Sequence, residues 1–117
     1  MNDENRTACS LADRTCVPCH GGIPPLAGAE LEALKNQLGN DWNVDKQQHL
    51  EKTYRFPDFR EALAFTVRIG ELAEDMGHHP NISLSWGKVK VTLWTHKIGG
   101  LAEADFVLAA KIDRLCD

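Results

Sequence analysis

The segment ISLSWGKVKVTLW, residues 82–94, alternates apolar and polar side chains on both sides of a glycine. Alternation with a period of two is typical of strands that bury one face, so this segment predicts two strands joined at Gly87. Because the connection is short, we expect the strands to form an antiparallel hairpin. The apolar positions are Ile82, Leu84 and Trp86 in the first strand and Val89, Val91 and Leu93 in the second.

Two further strands are predicted upstream of this hairpin. A short strand contains Trp42 and Val44, and a second strand runs from Leu50 to Phe56 with apolar side chains at a period of two. The polar segment 45–48 between them predicts a turn.

Three amphipathic helices separate and flank the strand pairs. Apolar residues at three- and four-residue steps predict helices over 28–38, 58–76 and 102–115. Asp58 is placed to accept from the first turn of the second helix, and Gly77 is placed to end it in a left-handed conformation. The order α-β-β-α-β-β-α predicts an α+β domain of two layers, a four-stranded antiparallel sheet with three helices on one face.

The chain length of 117 residues fits one domain, which we assign to residues 28–117. The preceding segment 1–27 is predicted to be an irregular leader, because the run GGIPP at 21–25 interrupts regular structure.

Composition excludes several classes of protein. Thirteen basic against seventeen acidic residues give a net charge of −4, which argues against nucleic acid as a direct partner. No apolar run approaches the roughly 20 residues of a membrane-spanning helix, so we expect no membrane partner. The polar start at 1–6 lacks the features of a secretory signal. We therefore predict a cytoplasmic protein whose four cysteines are free thiols or metal ligands and not disulfides.

Three of the cysteines, Cys9, Cys16 and Cys19, cluster in the leader with His20. The spacing CVPCH matches c-type haem attachment, but that chemistry requires export, for which the sequence carries no signal. Zinc has suitable ligand types here, although the leader offers little scaffold for a metal site. A redox pair would precede a helix in a βαβ unit, and none follows. We predict free thiols and no metal site, with a zinc-binding regulatory protein as an alternative.

A second cluster consists of histidines. His78 and His79 follow the second helix, and Pro80 restricts the conformation of His79. His96 comes directly after the last predicted strand. Imidazoles exchange protons near neutral pH, so this set suits acid–base chemistry on a small molecule. Two alternatives remain open from spacing alone, which are solvated surface histidines and a three-histidine zinc site.

A resemblance to a known family favours the catalytic interpretation. The segment EDMGHHP at 74–80 resembles the signature of the pterin-4a-carbinolamine dehydratases. The pattern continues with five residues between Pro80 and Trp86, nine between Trp86 and His96, and eight between His96 and Asp105. The similarity covers nearly the whole chain and agrees with the fold predicted from periodicity. Trp94 departs from the family pattern in being bulkier than expected, which could narrow the choice of substrate.

The resemblance implies an enzyme that removes water from a 4a-hydroxytetrahydropterin to give a quinonoid dihydropterin. This reaction supports tetrahydrobiopterin recycling and requires no cofactor. Family members are commonly homotetramers built from dimers, so the resemblance implies a homodimer or homotetramer. A non-catalytic binding or dimerisation module of the same fold is the alternative, although three intact histidines favour the enzyme.

Roles for individual residues also follow from the resemblance. His79 resembles the residue that binds and polarises the pterin, and His78 and His96 resemble the acids that protonate the departing hydroxyl. Asp105 is expected to accept from His96 and orient it, with helix capping as the alternative role. Burial preferences place Trp86 in the core, and its alternative role is a pocket wall. The full set assigned to substrate binding is Glu74, Pro80, Trp86 and Thr95.

Overall fold

The computed structural model describes residues 25–116 and consists of three α-helices and one four-stranded antiparallel sheet. The predicted α+β class and element order are confirmed. Among the described residues, no helix has the length and apolar character needed to cross a membrane. The elements are α1 (Gly28–Leu38), β1 (Asn43–Val44), β2 (Leu50–Arg55), α2 (Phe59–Met76), β3 (Asn81–Ser85), β4 (Lys88–Leu93), a 3-10 turn (His96–Ile98) and α3 (Glu103–Arg114).

The sheet has the strand order β1-β2-β4-β3, so β4 is central and β3 is an edge strand. The register pairs Leu50 with Leu93 and Asn81 with Thr92. Alternate side chains face the helices and form the core, while the intervening polar side chains cover the outer face. The fully buried core side chains include Leu50, Val89, Val91 and Leu93 from the strands and Phe65, Ile69, Phe106 and Ile112 from the helices.

Helix α2 is bounded by the two residues that the sequence predicted. The Asp58 side chain accepts from the backbone N–H of Glu61 at 2.9 Å, which satisfies one of the free donors of the first turn. Gly77 ends the helix with φ of 66°, a left-handed conformation that glycine adopts without steric cost. The chain therefore leaves α2 in a defined direction at His78.

The expectation that Trp86 belongs to the core is wrong. Strand β3 ends at Ser85, and the Trp86 side chain lies in the turn to β4 with 68% of its surface exposed. The alternation of apolar and polar residues continues through Trp86, but the strand itself does not. In the turn, the Trp86 side chain is not covered by the helices.

Asp113, near the end of α3, links that helix to the sheet through a hydrogen-bonded cluster. Its carboxylate accepts from Tyr54 Oη at 2.5 Å, Lys52 Nζ at 2.8 Å and Trp42 Nε1 at 3.0 Å. Asn40 Nδ2 adds a contact at 3.3 Å. No sequence pattern indicates this cluster, because its members are spread over 74 residues and share no motif.

Candidate active site

His78 is directed towards α3 by the end of α2. Its backbone N–H donates to the Ala73 carbonyl at 3.2 Å, which continues the hydrogen bonding of the helix end. Its Nε2 atom lies 2.6 Å from Asp105 Oδ1. Residues that are 27 positions apart in the chain therefore form a close histidine–carboxylate pair.

Asp105 is fully buried and has partners for both carboxylate oxygens. Its Oδ2 atom accepts from Thr95 Oγ1 at 2.8 Å and from the backbone N–H of Ala102 at 2.9 Å. Two donors on one oxygen and an imidazole on the other indicate an ionised carboxylate. An ionised carboxylate only accepts, so the His78 proton lies on Nε2, and Nδ1 is the ring atom that remains for chemistry.

The predicted contact between Asp105 and His96 is wrong. Side chains alternate between the two sides of an extended segment, and Thr95, which lies next to His96, points inwards to Asp105. His96 consequently lies on the outer side and is exposed. Asp105 also has the capping role that was the alternative, because it accepts from the Ala102 N–H at the start of α3.

His79 has a carboxylate partner of a different kind. Its Nε2 atom lies 2.5 Å from Glu74 Oε2, which reaches it from the last turn of α2. Both side chains are largely solvent-exposed, at 62% for His79 and 77% for Glu74. Water screens a pair of this kind, so Glu74 holds the His79 ring far less firmly than Asp105 holds that of His78.

His96 has an aromatic neighbour. It begins the 3-10 turn that ends at Gly99, and its ring stacks on Trp94 with centroids 4.4 Å apart. The other face of Trp94 carries His49, whose ring centroid lies 3.9 Å away. His49 belongs to no sequence motif, and the signal that locates it is the pairing of β2 with β4, which sets it opposite Trp94.

These groups lie at one end of the sheet. His79 and Pro80 precede β3, His49 precedes β2, and Trp94 and Thr95 follow β4. An open depression of about 590 Å³ lies on the outer face and edge of the sheet and shares Pro80 with this group of residues, but none of the histidines lines it. It is lined by Pro80, Asn81, Ile82, Ser83, Lys90 and Thr92.

Of the residues assigned to substrate binding, Pro80 and Glu74 lie at the same end of the sheet as the histidines. Thr95 and Trp86 are not available to a substrate there. Thr95 is buried, and its hydroxyl is used by Asp105. Trp86 lies at the opposite end of β3, whose five residues span roughly 16 Å. The structure therefore does not bring Trp86 to the histidines of its own chain.

No cluster of three or more potential metal ligands occurs within residues 25–116. The cysteine cluster with His20 lies outside the residues that the structure describes. The remaining cysteine, Cys116, is exposed. The arrangement of the described residues is thus one of imidazoles oriented by carboxylates and aromatic rings.

Comparison with known proteins gives consistent matches. The family model described as pterin 4 alpha carbinolamine dehydratase matches residues 24–115. A Rubrobacter xylanophilus protein provisionally named as a pterin-4-alpha-carbinolamine dehydratase is 56% identical over 105 residues, covering 90% of this chain and 97% of that protein. A Rickettsia bellii protein with the same provisional name is 51% identical over 107 residues, covering 92% and 95%.

Two solved structures share the fold. A transcriptional coactivator/pterin dehydratase from Brucella melitensis has a TM-score of 0.74 and 29% identity, covering 80% of this chain and 99% of that one. A pterin dehydratase-like protein identified as a RuBisCO assembly factor in the alpha-carboxysome has a TM-score of 0.57 and 28% identity, covering 67% and 92%.

Proposed function

This chain belongs to the pterin 4 alpha carbinolamine dehydratase family, and we propose that it removes water from a 4a-hydroxytetrahydropterin to give a quinonoid dihydropterin. The observation that carries the proposal is the pair formed by His78 and the buried Asp105. A fully buried carboxylate with three donors would be costly as a purely structural feature, whereas it suits the orientation of a catalytic imidazole.

The reaction needs one proton delivered and one proton removed. The C4a–O bond breaks as the hydroxyl takes a proton and leaves as water, the electron pair of N5 closes a C4a–N5 double bond, and the N5 proton passes to an acceptor. Imidazoles perform both transfers at neutral pH. We assign proton exchange to Nδ1 of His78, since Nε2 is held by Asp105.

The other two histidines complete the proposed site. His96 is assigned as a second acid, and His79 as the residue that binds and polarises the pterin. The exposure of both side chains at the end of the sheet supports direct contact with a substrate. The proposed chemistry uses side chains alone, with no cofactor. We further propose that the protein acts in the cytoplasm in the recycling of tetrahydrobiopterin.

Replacing His79 with alanine tests this site. We expect kcat/KM for dehydration to fall about 10²-fold, because a positioned imidazole contributes at least that factor. The assay supplies the full-length protein with a 4a-hydroxytetrahydropterin generated by an aromatic amino acid hydroxylase and follows quinonoid dihydropterin.

Because the His79 side chain is exposed, its replacement should leave the fold intact, and the thermal unfolding midpoint provides the control. Turnover equal to that of the wild type would refute the assignment of His79. A wild-type protein without dehydratase activity would refute the proposed function.

The second candidate function is that of a binding module that associates with a second copy of the chain. Three large apolar side chains are exposed at a spacing of four residues along α2, namely Phe59 at 43%, Leu63 at 44% and Val67 at 52%. A contiguous apolar stripe of this kind marks an interaction surface. We propose that a second copy covers it, which agrees with the homodimer or homotetramer expected for the family.

The substitution Leu63→Glu tests the stripe. We expect the wild type to have two or four times the 13.0 kDa mass of one chain by light scattering, and the variant to shift towards smaller species. A charge placed in an apolar interface loses its hydration, which disfavours association. Ala64→Glu, on the same helix but off the stripe, is the matched control. A monomeric wild type would contradict the proposal.

A further inference from the structure

Three ring side chains stack in a row at the end of the sheet, in the order His49, Trp94, His96. The His49 and Trp94 rings are almost parallel, with an interplanar angle of 11° and centroids 3.9 Å apart. The Trp94 and His96 rings are inclined by 30°, with centroids 4.4 Å apart. The indole is therefore enclosed by an imidazole on each side.

The register of the sheet explains why these rings meet. Leu50 of β2 pairs with Leu93 of β4, and one position further along the two strands are His49 and Trp94. Directly opposed side chains in an antiparallel pair lie close enough to interact. Trp94 and His96 are two residues apart, a spacing that places both on the side opposite Thr95.

The turn before β2 holds His49 in place independently of the other rings. The backbone N–H of His49 donates to Asp45 Oδ1 at 2.9 Å, and the N–H of Asp45 donates to the His49 carbonyl at 2.8 Å. Asp45 Oδ2 lies 3.9 Å from His49 Nδ1. Hydrogen bonds within the turn thus fix the backbone of His49, and this fixes the position from which its ring extends.

Each of the three family histidines has its own orienting group. Asp105 orients His78 and Glu74 contacts His79, but within residues 25–116 the structure shows no carboxylate hydrogen-bonded to His96. The ring of His96 instead contacts Trp94. An exposed imidazole on a short 3-10 turn has many rotamers in water, and stacking restricts them.

We propose that His49 and Trp94 are positioning residues that set the plane of the His96 ring for the dehydration. The proposal rests on the proposed function, because it assigns a role within that site. Trp94 contacts His96 directly, and His49 acts through Trp94 by closing its other face. The contribution of His49 is its flat ring and not proton transfer.

The substitutions His49→Leu and His49→Phe separate stacking from other roles. We expect His49→Leu to lower kcat about tenfold with little change in KM, because a misaligned acid slows the chemical step. His49→Phe keeps an aromatic ring against Trp94 and should restore kcat to within about twofold. Gln47→Ala, an exposed side chain of the same turn, is the matched control and should leave both constants unchanged.

Nuclear magnetic resonance of the histidine rings gives a second measurement that does not depend on activity. The ring current of Trp94 should shift the His96 ring-proton signals upfield in the wild type. His49→Leu should displace these signals and His49→Phe should not. Trp94→Leu should move them furthest towards the values of a free histidine.

The outcomes separate failure of the inference from failure of the proposed function. Signals of His96 that are the same in wild type, His49→Leu and Trp94→Leu would overturn the stack as a positioning device. A His49→Phe variant as slow as His49→Leu would also overturn it, since a ring would then not suffice. If the wild type has no dehydratase activity while the signals move as expected, the stack stands and the proposed function fails.

Discussion

Replacing Asp105 with asparagine is expected to lower kcat of the dehydration about 10³-fold, through the tautomer of His78. Oδ2 of Asp105 accepts from Thr95 and Ala102, so the amide oxygen of an asparagine would keep that position. The amide nitrogen would then face His78 Nε2, where Oδ1 now lies at 2.6 Å. A donor facing Nε2 requires this nitrogen to accept, which moves the imidazole proton to Nδ1.

The variant also removes the negative charge that stabilises a protonated His78 during proton transfer. Because Asn and Asp have nearly the same shape and two of the three hydrogen bonds persist, we expect a loss of only about 1–2 kcal/mol in the free energy of unfolding. Measurement of kcat together with the nitrogen resonances of His78 tests both parts. The resonances report directly which ring nitrogen carries the proton.

Glu74→Gln provides the matched comparison, since it makes the same chemical change at the solvent-exposed partner of His79. We expect a loss of less than about fivefold there, because exposed ion pairs contribute little. Equal losses in the two variants would show that burial of Asp105 has no special role. An unchanged His78 tautomer in Asp105→Asn would contradict the mechanism that we assign to it.

The largest effect on stability is expected from Asp113→Ala, at about 3–5 kcal/mol in the free energy of unfolding. The substitution removes the acceptor of the Tyr54 hydroxyl, the Trp42 indole N–H and the Lys52 ammonium group. All three partners are at most partly exposed, so water replaces the lost acceptor incompletely.

Thermal unfolding measures this effect. A midpoint lower by about 10–20 °C is expected for a chain of this size. Asp75→Ala is the control, because it removes an exposed carboxylate from α2, and it should change the free energy of unfolding by less than about 0.5 kcal/mol. Comparable losses in the two variants would contradict the structural role of Asp113.

Tyr54 gives the same experiment a second measurement. Burial, followed by the hydrogen bond and charge of Asp113, raises the pKa of Tyr54 far above its ordinary value of 10.0. The folded protein therefore keeps the phenolic proton when the unfolded chain releases it. The contribution of this raised pKa to the free energy of unfolding is fully present below pH 10. It is lost as the pH rises further, by about 1.4 kcal/mol per pH unit.

Tyr54 is the sole tyrosine of the chain, so tyrosinate absorbance reports this one group. In the wild type we expect the absorbance to appear with unfolding. In Asp113→Ala the Tyr54 pKa should fall, because the hydrogen bond and the charge of Asp113 that raise this pKa are both removed. The free energy of unfolding should then decrease less steeply above pH 10 than in the wild type.

Local patterns were sufficient to predict the elements of the fold. The alternation in 82–94 identified the hairpin of β3 and β4, and Asp58 and Gly77 marked the ends of α2 to within a residue. These features depend on backbone geometry and on near neighbours in the chain, which the sequence displays directly. Trp86 was misjudged because alternation alone does not show where a strand ends.

The partners of the histidines depended on contacts between distant parts of the chain. The family resemblance brought Asp105 into the candidate site. The inward direction of the Thr95 side chain then decided that the Asp105 carboxylate orients His78 and not His96. His49 carried no motif, and only the pairing of β2 with β4 placed it on Trp94. Asp113 likewise acquired its partners from two separate segments, residues 40–42 and strand β2.

The residue types and their spacing, together with the family resemblance, therefore predicted the class of fold and the chemical groups of the candidate site. Which group touches which was settled by strand register and by the packing of α3 against the sheet. The physical reason is that hydrogen bonding and stacking act over a few ångströms in space, whatever the separation along the chain.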